Sequence, residues 1–375
     1  MKKFLRWRKK FFAAAAAAAF SISLTFGAPA VVEASAADLI GGIIGIGIQA
    51  SEANKQIDAQ IKYLNETEEG RQELYKNMRE KYGVSENYQY NEMLDRIMAN
   101  LSRGIAQIDP TINDKPYLYF VSAQSSINAG CAMGHVMMVN EGTFAKLINE
   151  DEIAAIVGHE LGHGQKDHGA KGNRDALRKA ITASIAGTAV GATLGGGMLT
   201  SAITNLALNH SVNHGSKVHE TEADAMSFEY LTHTNYNLGA GAAVMQKFVE
   251  LSLGAEQSKI AAFFSPSDHP DSGRRRDAFV KKLYEYSGKH VTAKDGVVTV
   301  NKKNFITVAP SETMSGAERS YFVLGNLAAA YHNGQNKYEA TVQNGTVLLG
   351  NQPIITPLAG DEDPQTIADR LNAIK

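Results

Sequence analysis

One cysteine, Cys131, stands among 375 residues. No disulfide can form within the chain, so stability must come from a packed core or from a bound metal. Cys131 also lies too far along the chain to carry a lipid at a leader cleavage site. A basic patch is missing as well. With residues 1–36 set aside, 31 Lys and Arg stand against 38 Asp and Glu, a net charge of −7, which excludes nucleic acid as a partner. No repeat with a period of about 20–50 residues occurs, which argues against a solenoid.

Nor is there a strongly apolar run of the ~20 residues that a membrane span needs. The segment 38–50, DLIGGIIGIGIQA, is too short and reads as a packed arm. The stretch from Ala180 to Asn209 carries no charge, but Ala, Gly, Ser and Thr dominate it. Gly187, Gly191 and Gly195 repeat there at small-xxx-small spacing. That spacing suits a membrane hairpin or a close-packed soluble helical hairpin bent at GGGM. The modest hydrophobicity favours the soluble hairpin, with peripheral membrane contact as a further expectation.

The first ten residues, MKKFLRWRKK, hold six positive charges and no negative one. An alanine-rich apolar run follows, then APAVVEASA. This is the order of a secretory signal peptide, with cleavage expected after Ala36. The remaining length suits roughly two domains. Residues 51–82 read as one long charged helix and 88–107 as an amphipathic one, with Met93, Leu94, Ile97, Met98 and Leu101 on its apolar side. YLYFVS at 117–122 reads as a strand, and 127–142 as a turn followed by a strand at His135–Val139. After about residue 290 short strands dominate (GVVTV, FITVA, YEATV, TVLLG, PIITP), with Asn344-Gly345 as a hairpin turn and helices at 315–332 and 364–374. The expected architecture is therefore helix-dominated α+β, with a main domain over 37–290 and a small α+β domain of unknown role over 291–375.

The chemistry concentrates in AAIVGHELGHGQKDHG, residues 154–169. Asn149 can cap the helix that carries it, Glu152 can close a capping box, and Glu150, Asp151 and Glu152 suit its positive end. His159 and His163, at i and i+4, share one face, where two imidazoles can bind zinc while Glu160 reaches the activated water. A catalytic zinc needs a third protein ligand and one open position. A metzincin would continue with Gly and His where this chain has Lys166 and Gly169, so that class is excluded. His168 falls off the ligand face and reads as a surface histidine. The remaining route is a glutamate from a later helix. Glu220 and Asp224 are again i and i+4, so one can bind metal while the other orients a liganding histidine. On the same helix Glu222 points about 160–200° away, and His219 faces elsewhere.

With these residues in hand, the chain resembles a family. NEDEIAAIVGHELGH followed by HETEADAMSFEYL is similar to the zinc metallopeptidases that include the CAAX prenyl endopeptidases and the HtpX-type and exported BepA-type proteases. INAGCAMGHVMMVNEG resembles that family's Asn-Ala turn and edge strand, and SPSDHPDSGRRRDAF its Ser-x-x-His-Pro segment. The resemblance runs over roughly residues 50–285 and is silent on 291–375.

The resemblance implies a zincin-type fold of the glutamate-liganded class, with one zinc per chain on His159, His163 and Glu220. It places Asp224 behind a liganding histidine and makes Glu160 the general base. His269 would lie near the metal, to stabilise the oxyanion or to plug the site. Arg275 would hold that segment or an acidic partner, with Arg274 and Arg276 as alternative registers. A polypeptide substrate would bind extended along the edge at 135–139, using Asn128, Ala129, His135, Val136, Met137 and Met138. Cys131 departs from the family pattern; it reads as a small buried hydrophobe or as an inhibitory thiol ligand. The implied function is an exported zinc endopeptidase of the periplasm or cell envelope, acting in protein quality control on misfolded or unassembled proteins. The alternatives are a chaperone or assembly factor whose proteolysis is latched, partnered with envelope-assembly machinery, and a membrane-bound peptidase.

Overall fold

The computed structural model describes residues 50–186, 217–253 and 272–375. The leader expected at 1–36, most of the 38–50 arm, the bend of the 180–209 hairpin and His269 lie outside them. Among the described residues three helices come first: α1 (Ala50–Glu66), α2 (Glu68–Tyr82) and α3 (Tyr88–Ile105). The single helix expected over 51–82 is in fact two. Thr67 breaks it, because its side chain accepts from the Gly70 amide and caps α2. That fold-back is tight: a Cβ on Gly70 would lie 2.2 Å from the Tyr63 carbonyl oxygen.

A three-stranded sheet follows, from β1 (Leu118–Ser122), β2 (Ala129–Ala132) and β3 (Val136–Asn140). The order is β1-β3-β2, with β3 parallel to β1 and antiparallel to β2. Residues 127–142 therefore hold a strand pair rather than a turn and one strand. Gly134 and His135, both at positive φ, turn the chain between them. The turn is pinned from outside, since Arg71 Nε donates to the Gly134 carbonyl at 2.6 Å and the Gly134 amide donates to Asn65 Oδ1 at 2.7 Å. All five residues of β3 are buried. Met137 and Val139 join the main core, whereas Val136 and Met138 face the α1–α2 side with Phe120, Leu74 and Met78. Apolar side chains on both faces mark a strand covered on both sides.

Helices α4 (Glu141–Lys146), α5 (Glu150–Gln165), α6 (His168–Ala186), α7 (Lys217–Thr232), α8 (Ala240–Leu253) and α9 (Ser272–Tyr286) come next. Asn149 caps α5 by accepting from the Asp151 amide. Glu152 does not complete a capping box; it turns inward, fully buried, to Lys247 Nζ at 3.5 Å. Ile153, Ile156, Val157 and Leu161 bury α5 in the core. No helix among the described residues is long and apolar enough to cross a membrane.

The last stretch holds two antiparallel three-stranded sheets and two helices. β4 (Val291–Lys294), β5 (Val297–Val300) and β6 (Lys303–Thr307) form the first. Then come α10 (Gly316–His332), the sheet of β7 (Ala340–Gln343), β8 (Thr346–Leu349) and β9 (Gln352–Ile355), and α11 (Pro364–Ile374). β4 is a strand the sequence pattern missed. Asn344 and Gly345, both at positive φ, make the turn between β7 and β8. The apolar core is continuous from α5, α8 and α9 into these strands, through Phe248, Phe279, Leu283, Val291, Phe305 and Leu324. Residue 290 marks the change from helices to short strands within that shared core.

Candidate metal centre

Helices α5 and α7 pack face to face, and glycine allows it. A Cβ on Gly158 would lie 3.2 Å from Ser227 Oγ, and one on Gly162 would lie 3.2 Å from Ala223 Cα. Ser227 Oγ donates to the Ala155 carbonyl at 2.7 Å and locks the register of the two helices. This contact sets Glu220 beside the two histidines. His159 Nε2 lies 3.4 Å from Glu220 Oε2, His163 Nε2 lies 3.3 Å from Glu220 Oε1, and the two Nε2 atoms are 3.1 Å apart. All three side chains are buried. Among the described residues this is the one group of three metal-ligating side chains with its donor atoms within 4.8 Å of one another.

These separations fit a tetrahedral cation. Two ligands of zinc with bonds of ~2.1 Å stand ~3.4 Å apart. The electrostatics agree. Burial pulls the His159 imidazole down, but Asp224 and Glu220 outweigh it and raise it to about 9, so the cluster favours positive charge at this point. Two imidazole nitrogens, one carboxylate and such a field suit a divalent cation such as zinc.

His159 is held from behind. His159 Nδ1 lies 3.0 Å from Asp224 Oδ1, which directs its Nδ1–H to the carboxylate and leaves Nε2 facing the cluster. Arg275 grips Asp224 through both oxygens, Nε to Oδ2 at 2.8 Å and Nη2 to Oδ1 at 2.7 Å. Burial would raise the Asp224 carboxyl, but Arg275 and then His159 win and set it at about 2. The cavity behind these groups is only about 10 Å³, walled by Ile156, Val244, Met245 and Phe279, so the backing is solid. Arg275 lies in the first turn of α9 and serves Asp224; Arg276 turns instead to Asp277 and Gln246.

Glu160 is fully buried, and its Oε2 accepts from the Cys131 amide at 3.0 Å. The general-base candidate thus touches strand β2. This corrects the expected substrate edge. Val136, Met137 and Met138 sit in the central strand β3, hydrogen-bonded on both sides, and His135 lies in the turn, stacked on Tyr117 at 4.3 Å. Asn128 precedes β2, its carbonyl accepting from the Asn140 amide. The outer strand on the α5 side is β2, which contains Ala129. The Cys131 thiol is buried, donates toward the Ala132 carbonyl at 3.6 Å and is outside the clustered donor set. Burial, with Glu160 adding to it, pushes this thiol well above its ordinary range, so it behaves as a small hydrophobe.

Three residues set aside on sequence grounds, His168, Glu222 and His219, are part of the assembly. His168 is buried, not on the surface, with Nδ1 3.0 Å from His163 Nδ1. Its Nε2 lies 3.2 Å from Glu222 Oε2. Burial, then His219, pulls the His168 imidazole down to about 4. The helical wheel misplaced His168 because α5 ends first. Asp167, at φ 52, breaks the helix, and Asn65 Nδ2 holds that break by donating to Asp167 Oδ1 at 3.2 Å. The chain then restarts as α6 and brings His168 back onto His163.

Comparison with known proteins agrees with this geometry. Residues 89–282, a little over half of the chain, match the sequence model of Peptidase family M48. The chain is also 26% identical over 235 residues, 62% of this chain and 84% of the other, to Metalloprotease LoiP of Escherichia coli (strain K12).

Proposed function

Since the chain belongs to peptidase family M48 and is a metalloendopeptidase, we propose that it is an exported zinc endopeptidase that cleaves misfolded or unassembled proteins of the cell envelope. The observation that carries the metal reading is the convergence of His159, His163 and Glu220 at 3.1–3.4 Å. Export is supported by the basic, apolar and Ala-x-Ala order of residues 1–36.

In this reading His159, His163 and Glu220 hold one zinc ion per chain. Zinc, when bound, supplies Lewis acidity that activates water and polarises the scissile carbonyl. Glu160 removes a proton from the attacking water and returns it to the nitrogen that leaves, so the two halves of the peptide part as acid and amine. Its contact with the Cys131 amide holds the carboxylate against β2. Asp224, clamped by Arg275, fixes the His159 ring. The polypeptide substrate lies extended along β2, Ala129–Ala132, rather than along 135–139, and adds a strand by backbone hydrogen bonds. His269 keeps its proposed place near the metal, and 291–375 its proposed status as a small α+β unit. We place the protein in the periplasm or envelope, with peripheral membrane contact and assembly machinery as further proposed partners.

The test is complementation of a deletion strain under envelope stress. Wild type should restore growth and Glu160→Gln should not, with both proteins recovered in the osmotic-shock fraction and starting at Ala37. Full complementation by Glu160→Gln would favour the alternative, an assembly factor whose proteolysis is minor.

A further inference from the structure

The two histidines of the cluster are backed differently. Asp224 serves His159 directly, at 3.0 Å. Behind His163 stands a second imidazole, His168, and behind that the carboxylate of Glu222. We propose that His168 and Glu222 are positioning residues that fix the tautomer and ring angle of His163, with Glu222 acting through His168. This rests on the metal-site reading above.

The hydrogen count carries the argument. Glu222, as a carboxylate, only accepts. Its 3.2 Å contact therefore takes the Nε2–H of His168. A neutral imidazole has one ring proton, so His168 Nδ1 is left with a lone pair. That lone pair, 3.0 Å from His163 Nδ1, accepts the Nδ1–H of His163. His163 Nε2 is then bare and faces Glu220 and His159 Nε2. Every proton in the chain Glu222–His168–His163 has one place, and the far end is a nitrogen lone pair aimed at the cluster. The reverse tautomer of His163 would put a hydrogen on the nitrogen that has to bind metal.

The packing keeps the relay in register. His168 is buried, stacked on His219 at 4.1 Å and 12°, and meets the His163 ring edge-on at 72°. Glu222 is 42% exposed at the outer end, where Lys166 Nζ lies 3.6 Å from its other oxygen. Helix α7 thus orients both histidines of α5, from Asp224 and from Glu222, while presenting Glu220 to the cluster.

The test is zinc affinity measured by chelator competition on the full mature chain, with the thermal melt of the metal-free form alongside. His168→Phe keeps the ring stack on His219 but cannot accept from His163. It should bind zinc about 10–100-fold more weakly, and its cobalt-substituted spectrum should shift. Glu222 is 42% exposed, so its substitution disturbs the packing less than one at His168. Glu222→Leu should weaken zinc and lower the metal-free melt only modestly, by the lost acceptor of His168, while Glu222→Gln, which still accepts through its amide oxygen, should restore near-wild-type affinity. Because the two residues act in series, the double variant His168→Phe/Glu222→Leu should be no worse than His168→Phe alone. Zinc affinity within twofold of wild type in His168→Phe, or losses that multiply in the double variant, would overturn the proposal. Wild type that binds no zinc would instead sink the metal-site reading itself, and the proposal with it.

Discussion

Gly162 of α5 approaches Ala223 of α7 so closely that a Cβ on the glycine would lie 3.2 Å from the Ala223 Cα. His163 follows Gly162 directly in the chain, and Glu220 precedes Ala223 by three. A larger residue at 162 therefore separates the halves of the ligand set. Gly162→Val should cost about 1–3 kcal/mol by overpacking and weaken zinc binding in parallel. Gly172, in α6, has nothing within 4 Å of its Cβ position. Gly172→Ala should stabilise by about 0.5–1 kcal/mol through helix propensity and leave zinc unaffected. Urea melts and chelator competition on the two variants check the pair.

Arg275 is buried against Asp224 with two charge-assisted hydrogen bonds. Arg275→Met would leave that carboxylate inside the protein without its guanidinium. Removing one partner of a buried pair costs about 3–5 kcal/mol, and Arg275→Lys should not rescue it, because an ammonium cannot make the paired contact. Equilibrium unfolding reports both.

Lys247 joins the start of the α5 helix to the C-terminal region, 3.5 Å from Glu152 and 3.5 Å from Glu318. Burial raises the Glu318 carboxyl, and although Lys247 opposes this, it stands at about 7 against an ordinary 4.5. The folded chain therefore binds this proton more tightly than the unfolded chain does. Between pH 4.5 and 7 the folded state holds more protons, so this group's contribution falls as pH rises through that window. Relative to Glu318→Gln, wild type should be more stable near pH 5 than near pH 8, by about 2–3 kcal/mol. Gln preserves the capping box with Ser315, so parallel melts of both proteins across pH isolate the effect. A difference that is flat with pH would contradict it.

Much of this site could be read in the sequence, because HExxH and Glu220-x-x-x-Asp224 lie within regular helices where spacing fixes direction. The outlying parts could not. His168 depended on a break at Asp167, a residue at positive φ held by a side chain 102 positions away in sequence. The outer strand β2 is AGCA, four small residues whose pattern carries little strand signal, while the stronger signal of VMMV came from the central strand. Glu152 looked like a cap because its charge suits a helix start. Its ion pair with Lys247 is a tertiary contact that local pattern does not encode. In the C-terminal region the turn residues and alternation located the strands, except β4, whose VTAK is too mixed to stand out.

In the reading proposed above, His159, His163 and Glu220 hold the metal while Glu160 moves the proton. Its most direct test is zinc content and casein hydrolysis measured together on wild type, Glu160→Gln and Glu220→Gln. Wild type should carry one zinc per chain and cleave casein. Glu160→Gln should keep its zinc and lose activity by about 10²–10⁴-fold, and Glu220→Gln should lose both. Casein cleaved at the wild-type rate by zinc-loaded Glu160→Gln would contradict the account.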